Sequence, residues 1–262
     1  MTLGIPKIMG ILNVTTDSFF SESRAETEEK IRNRIIQVIS EGADIIDIGG
    51  CSTRPSSEPV SESEEMERVD RGCRLLKEIA PHFPLSVDTF RSSVARMAIE
   101  KWNANIINDI SGGSDPDMWS LVASKKVVYV LTHNETLNQE NSDVTSEVIV
   151  DLSKKINKLH HLGVNDVIID PGFGFGKTLE ENFKLFEELN EFAFLGYPLL
   201  VGVSRKSMIY KTLGTDPENS LIGTVALDAI ALEKGTDILR VHDVKEAVET
   251  IRLFTKLKNI TE

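Results

Sequence analysis

The sequence predicts an α/β chain folded as a closed parallel (β/α)8 TIM barrel, a single domain over residues 1–262. Three observations predict it: eight short apolar runs recur along the chain, helical patterns fill the gaps between them, and the alternation spans the length that one such barrel needs. An open doubly wound sheet is the alternative reading of the same alternation.

The first run is Lys7 to Val14, followed by a helical stretch in which Ile31, Ile35, Val38 and Ile39 share one face before Gly42. Ala43 to Gly49 is the second strand. Met66, Val69, Cys73, Leu76 and Ile79 then repeat at helical spacing before Pro81. Strands three to five are Pro84 to Thr89, Asn105 to Ser111 and Val127 to His133. Val127 to Leu131 within the last of these is continuously apolar, as in a parallel strand covered on both faces. Thr136 to Thr145, rich in Asn, Glu and Ser, reads as a solvated loop. Val148, Leu152, Ile156 and Leu159 form the next helical face, ending at Gly163. Asp166 to Pro171, Leu199 to Ser204 and Ile238 to Asp243 are strands six to eight. Leu221, Val225 and Ala229 precede Gly235, and Ala247, Ile251 and Phe254 lie on the last helix. Glycine just past a helix and proline beyond it are stop signals.

Charge and composition exclude several function classes. A net charge of −12 opposes non-specific nucleic-acid binding and requires any anion pocket to be a local cluster of cations. No stretch approaches a membrane span, and the first ten residues lack a leader pattern, so a cytoplasmic protein is expected. Cys51 and Cys73 lack metal-ligand spacing and read as free thiols.

A parallel barrel builds its active site at the C-terminal ends of its strands. Here those ends carry Asn13, Asp47, Asp88, Asn108 with Asp109, His133, Asp170, Ser204 with Arg205 and Lys206, and Arg240 with His242. Such groups cost free energy away from water unless paired, so a ring of them implies a wet, ligand-filled mouth. Asn13, Arg54, Lys206, Arg240 and His242 offer donors, positive charge or a metal ligand; Asp88, Asn108 and Asp170 offer carboxylates and an amide. A ligand with an anionic end and a flat, donor-rich end matches both groups. Asp170 to Thr178 has the look of a phosphate loop, but Pro171 stands where the first glycine is needed. It reads instead as a tight strand-to-helix loop in which Phe175 could wall a flat ring.

Seven segments together resemble the dihydropteroate synthase family over essentially the whole chain. They are Met9 to Thr15 with Asp17-Ser18-Phe19, Asp47 to Pro55, Ser86 to Thr89, Ile107 to Gly113, Asp170 to Lys177, Gly202 to Ser207 and Arg240 to Asp243. The resemblance implies an enzyme of folate biosynthesis that displaces diphosphate from 6-hydroxymethyl-7,8-dihydropterin pyrophosphate with the amine of p-aminobenzoate. It implies that Asp170, Asp88, Asn108, Lys206 and Gly202 contact the pterin. Arg240 and His242 would take the diphosphate, and Asn13 is associated with Mg2+. Thr53, Arg54, Pro55 and Ser207 would close over the leaving group or the p-aminobenzoate. Arg54, Lys206, Arg240 and His242 are the expected catalytic residues, and a homodimer is implied.

The chain departs from the family pattern in Thr16 for proline, Phe20-Ser21-Glu22-Ser23 for a Ser-Asp-Gly-Gly turn, Ser56 for glycine and Thr132 for methionine. A methyl-transferring pterin barrel, a Schiff-base aldolase using Lys206, and a non-catalytic pterin binder are the competing readings. Asp47, Asp109, His133, His160, His161 and Asp243 are read as supporting or surface groups.

Overall fold

The computed structural model describes residues 4–14, 21–51, 60–137 and 143–259. Thr53, Arg54 and Pro55 lie outside them, as do Thr16 and Ser56. The order is β1 (Lys7–Asn13), α1 (Ser21–Glu41), β2 (Ile45–Gly49), α2 (Glu62–Ile79), β3 (Leu85–Asp88), α3 (Ser92–Trp102), β4 (Ile106–Asp109), α4 (Met118–Lys125) and β5 (Val128–Thr132). There follow α5 (Val144–His161), β6 (Val167–Asp170), α6 (Leu179–Glu187), a 3-10 segment (Leu189–Leu195), β7 (Leu200–Val201), α7 (Ser207–Leu213), α8 (Leu221–Glu233), β8 (Ile238–Val241) and α9 (Val244–Lys258). All eight expected strands are present, trimmed at their ends. Thr145, expected in a loop, is instead buried on α5.

The strands form one parallel sheet in the order β6-β5-β4-β3-β2-β1-β8-β7. A bridge between Ile169 and Leu199 joins β6 to β7 and completes the ring. Alternation along each strand sorts its side chains between two cores. Met9, Ile106, Val130, Ile168, Leu200 and Ile238 pack together inside the barrel. Their neighbours, among them Ile8, Ile46, Val87, Ile107, Leu131, Ile169 and Leu239, face outward into the much larger core beneath the helices. Gly10 lets α1 approach β1, since a β-carbon there would lie 2.7 Å from Val38 Cγ1.

Helix boundaries follow local chemistry. Ser61 caps α2 by accepting the Glu64 N–H at 3.3 Å, and Thr178 and Glu181 form a reciprocal capping box on α6. The expected face of α2 is buried or half-buried as read. That of α8 is so only in part: Leu221 and Val225 are half-buried and Ala229 is exposed, while the structure buries Thr224, Asp228, Ala231 and Leu232. A helix apolar on almost every side carries no periodic signal for which side faces the barrel.

Candidate active site

The period of two that sets the interior core also sets the site. Two residues beyond Ile106, Ile168, Leu200 and Ile238 stand Asn108, Asp170, Gly202 and Arg240, on the same inward face. Asn13 is paired in register with Gly49, Gly49 with Asp88, and Asp88 with Asn108. The apolar interior is the floor, and the polar residues form a ring above it.

Asp47 is the hub of that ring. Fully buried, it accepts from Ser86 Oγ at 2.6 Å, Asn108 Nδ2 at 3.0 Å and Arg240 Nε at 2.7 Å, tying β2, β3, β4 and β8 together. Arg240 Nη2 also donates to Asp88 Oδ2 at 2.5 Å. Arg240 from the cationic group is therefore bonded, directly or through Asp47, to Asp88 and Asn108 from the group read for the heterocycle. Burial pushes the Asp88 carboxyl upward, Arg240 pulls it down, and Asp47 adds to the rise. Asn108 spends its amide N–H on Asp47, which leaves Oδ1 buried without a hydrogen-bond partner. A buried acceptor in that state is costly and fits a site completed by a ligand donor.

The loop after β6 supplies the opposite wall. Asp170 Oδ1 accepts the Gly172 N–H at 2.8 Å. Gly172 has φ 74 and sits so close to β5 that a β-carbon would lie 1.9 Å from the His133 carbonyl, so only glycine fits. Burial raises Asp170, opposed by Lys206, the Gly172 N–H and Arg240. Lys206 donates to the Phe173 carbonyl and stands 4.7 Å above the Phe175 ring. Burial brings Lys206 down to about 8, against the pull of Asp170. Lys177, the apparent phosphate-loop lysine, is turned inward onto the carbonyls of Gly172 at 2.9 Å, Phe175 at 3.1 Å and His133 at 3.3 Å. It buckles its own loop, in line with the non-nucleotide reading.

His133 lies against Lys177, with Nδ1 3.1 Å from Nζ. Burial and Lys177 bring its imidazole down to about 4. The folded state therefore binds fewer protons than the unfolded state between pH 6.5 and about 4, and stability falls as pH falls through that window. His133 is expected to remain neutral at pH 5 by NMR titration; a midpoint near the ordinary histidine value would contradict this packing.

Just beyond β7 and β8, the Ser204 hydroxyl accepts the His242 backbone N–H at 3.2 Å and meets its Nδ1 at 3.0 Å. The hydroxyl thus holds both the backbone and the ring of His242, fixing where the imidazole stands. Arg34 holds the His242 carbonyl. Gly202 packs beside Arg240, where a β-carbon would make an ordinary contact at 3.7 Å. Asn13 is exposed at the end of β1, and its Oδ1 and Asp88 Oδ2 flank Gly49 on the same side. Ser207 opens α7.

The structure thus brings Asn13, Asp88, Asn108, Asp170, Phe175, Gly202, Lys206, Arg240 and His242 to one end of the barrel. Thr53, Arg54 and Pro55 belong to residues it does not describe. Sequence reasoning placed Asp47 at a strand end in a supporting role; the structure makes that support the hub of the ring. Asp109 is a loop brace, accepting from Ser111, Gly113 and Tyr129, and Asp243 pairs with Arg205. His160 and His161 are exposed, the former bonded to Tyr197. Both thiols are free, and burial pushes each up to about 12.

Comparison with known proteins agrees with this geometry. Residues 9–242 match the family model described as pterin binding enzyme. The dihydropteroate synthase of Bacillus subtilis is 41% identical over 256 residues, covering 96% of this chain and 88% of that relative. The Xanthomonas albilineans dihydropteroate synthase solved with 4-aminobenzoic acid superposes with TM-score 0.91 at 36% identity, covering 100% of this chain and 96% of that one. The Anaplasma phagocytophilum enzyme with bound 6-hydroxymethylpterin-monophosphate gives 0.89 at 32% identity, covering 96% and 98%. The chain therefore belongs to the pterin-binding enzymes and, within them, to the dihydropteroate synthases, transferases of folate biosynthesis that join a pterin to p-aminobenzoate.

Proposed function

We propose that the inward ring carries out the synthase reaction with the pterin held between β3, β4 and β6 and its diphosphate directed toward β8. The observation that carries this reading is the buried Asn108 Oδ1 without a partner, set in one network with Asp88, Asp47 and Arg240. A 2-aminopyrimidinone edge presents parallel N–H donors. Asp170 can accept two of them at once, and the Asn108 carbonyl accepts another. Phe175 and Lys206 bound one face of the ring.

The reaction breaks the bond between the pterin methylene carbon and the diphosphate oxygen, forms a carbon–nitrogen bond to the amine, and releases one proton from that nitrogen. The leaving electron pair stays on the diphosphate. The methylene cation is conjugated into the dihydropterin ring, so a protein nucleophile is not required. What must be stabilised is departing negative charge. Arg240 has five N–H donors and spends two on Asp47 and Asp88, leaving others for a phosphate oxygen. His242, held by Ser204, supplies an imidazole beside it. Thr53, Arg54, Pro55 and Ser207 are assigned, on the family resemblance, to closing over the leaving group or the p-aminobenzoate.

Among the described residues, no group of three His, Cys, Asp or Glu side chains could hold a metal ion. The exposed Asn13 amide fits the sparser requirement of Mg2+, which keeps waters and takes substrate phosphate oxygens. When bound there, Mg2+ would neutralise diphosphate charge.

The reading extends to one pterin-binding domain over residues 1–262, a cytoplasmic setting and a homodimer. The matched span supports the first, and two free thiols support the second. Exposed apolar side chains on the adjacent helices α8 and α9 support the third, with Ile222 84%, Leu253 74% and Leu257 76% exposed. Light scattering should give a dimer that Ile222→Glu with Leu253→Lys converts to a monomer; an unmutated monomer would remove the dimer. For the activity itself, pyrophosphate should be released only when dihydropterin pyrophosphate and p-aminobenzoate are both present. Binding without release would instead favour a non-catalytic pterin binder.

A further inference from the structure

Arg205 occupies a conformation its side chain does not favour. The Lys206 N–H donates to the Val203 carbonyl at 3.0 Å, closing a four-residue turn in which Arg205 is the third residue, with φ 56. Glycine or asparagine is the favoured residue at such a position. Strain of this kind persists only where the surroundings over-determine it, and it concentrates at functional sites.

The surroundings here are specific. Nε and Nη2 of Arg205 form a two-pronged fork on Asp243, each bond 2.8 Å. Nη1 donates to the carbonyls of Pro217 at 2.8 Å and Glu218 at 2.7 Å, in the connection between α7 and α8. Its backbone N–H donates to Thr224 Oγ1 at 3.0 Å, and Thr224 in turn is bonded to the Ser220 carbonyl. One residue earlier, Ser204 holds His242; one residue later, Lys206 reaches the Phe173 carbonyl on the far wall. Asp243 itself directly follows His242. The fork therefore joins the β7 loop to the β8 loop at the two places where each carries a site residue.

We propose that Arg205 is a positioning residue: its fork on Asp243 fixes the β7 turn so that Ser204 orients His242 while Lys206 faces the pterin wall. This rests on the reading of Lys206 and His242 given above. A bidentate guanidinium–carboxylate pair constrains both distance and angle, which a lysine ammonium cannot do.

Arg205→Gly separates positioning from folding, because glycine accepts a φ of 56 without strain. The expected result is a melting midpoint close to that of the unmutated protein, with turnover at saturating substrates down by about 30-fold or more and inorganic pyrophosphate binding weakened about tenfold by calorimetry. Arg205→Lys, the second variant, keeps the charge and loses the fork; it should show the same loss in milder form. Adding Asp243→Asn to Arg205→Gly should cost little beyond the single change, since both remove one contact. Turnover of either Arg205 variant within about threefold of the unmutated enzyme, or multiplying losses in the double variant, would overturn the proposal. An unmutated protein that releases no pyrophosphate would instead sink the reading of the site as a whole.

Discussion

Arg240→Ala is expected to cost about 3 to 5 kcal/mol of stability and to slow turnover by roughly a thousandfold. Removing the guanidinium strands Asp47, whose side chain is fully buried, and Asp88, 11% exposed, as neighbouring carboxylates without their shared cation. Uncompensated buried charge is among the few single-residue changes with effects this large. The sequence suggests a cleaner outcome: loss of the diphosphate pocket with pterin affinity nearly intact. The structure revises that expectation. Because Arg240 holds Asp88, and Asp47 holds Asn108, pterin affinity should fall as well. Denaturant unfolding and pterin calorimetry on the same variant check both halves. A stable variant with unchanged pterin affinity would mean that the two halves of the mouth are independent.

Asp170→Asn should weaken pterin binding about 100-fold, close to 3 kcal/mol. The carboxylate is buried beside Lys206 and accepts one backbone N–H, from Gly172, with capacity left for the heterocycle. An amide keeps one acceptor and turns a donor toward a donor edge. The Gly172 contact can survive the change, so the fold should melt normally and the loss should appear in binding. Calorimetry with a pterin that lacks diphosphate isolates the effect; affinity within about threefold of the unmutated protein would remove Asp170 from the pterin wall.

Most of the architecture was legible because strand runs, glycine stops and helical spacing agree from end to end. The ring was legible for the same reason: inward polar residues fall two positions beyond apolar ones, as Arg240 does beyond Ile238 and Asp170 beyond Ile168. Asp47 was not. An aspartate just before Gly49-Gly50 looks like a loop brace until closure of β1 on β8 brings Arg240 to it. The buried face of α8 was only partly legible because that helix is apolar on nearly every side. The link between Arg205 and Asp243 was invisible for a different reason. Thirty-eight residues separate them, and only the barrel makes them neighbours.

Everything proposed for the site depends on carboxylate and amide groups of β3, β4 and β6 meeting the pterin edge while β8 faces its diphosphate. A crystal structure with a non-hydrolysable dihydropterin diphosphate analogue tests this most directly. The bicyclic ring should lie against Asp170, Asn108 and Asp88, with phosphate oxygens on Arg240 and His242. A ring bound elsewhere, or turned so that its diphosphate meets Asp170, would contradict it.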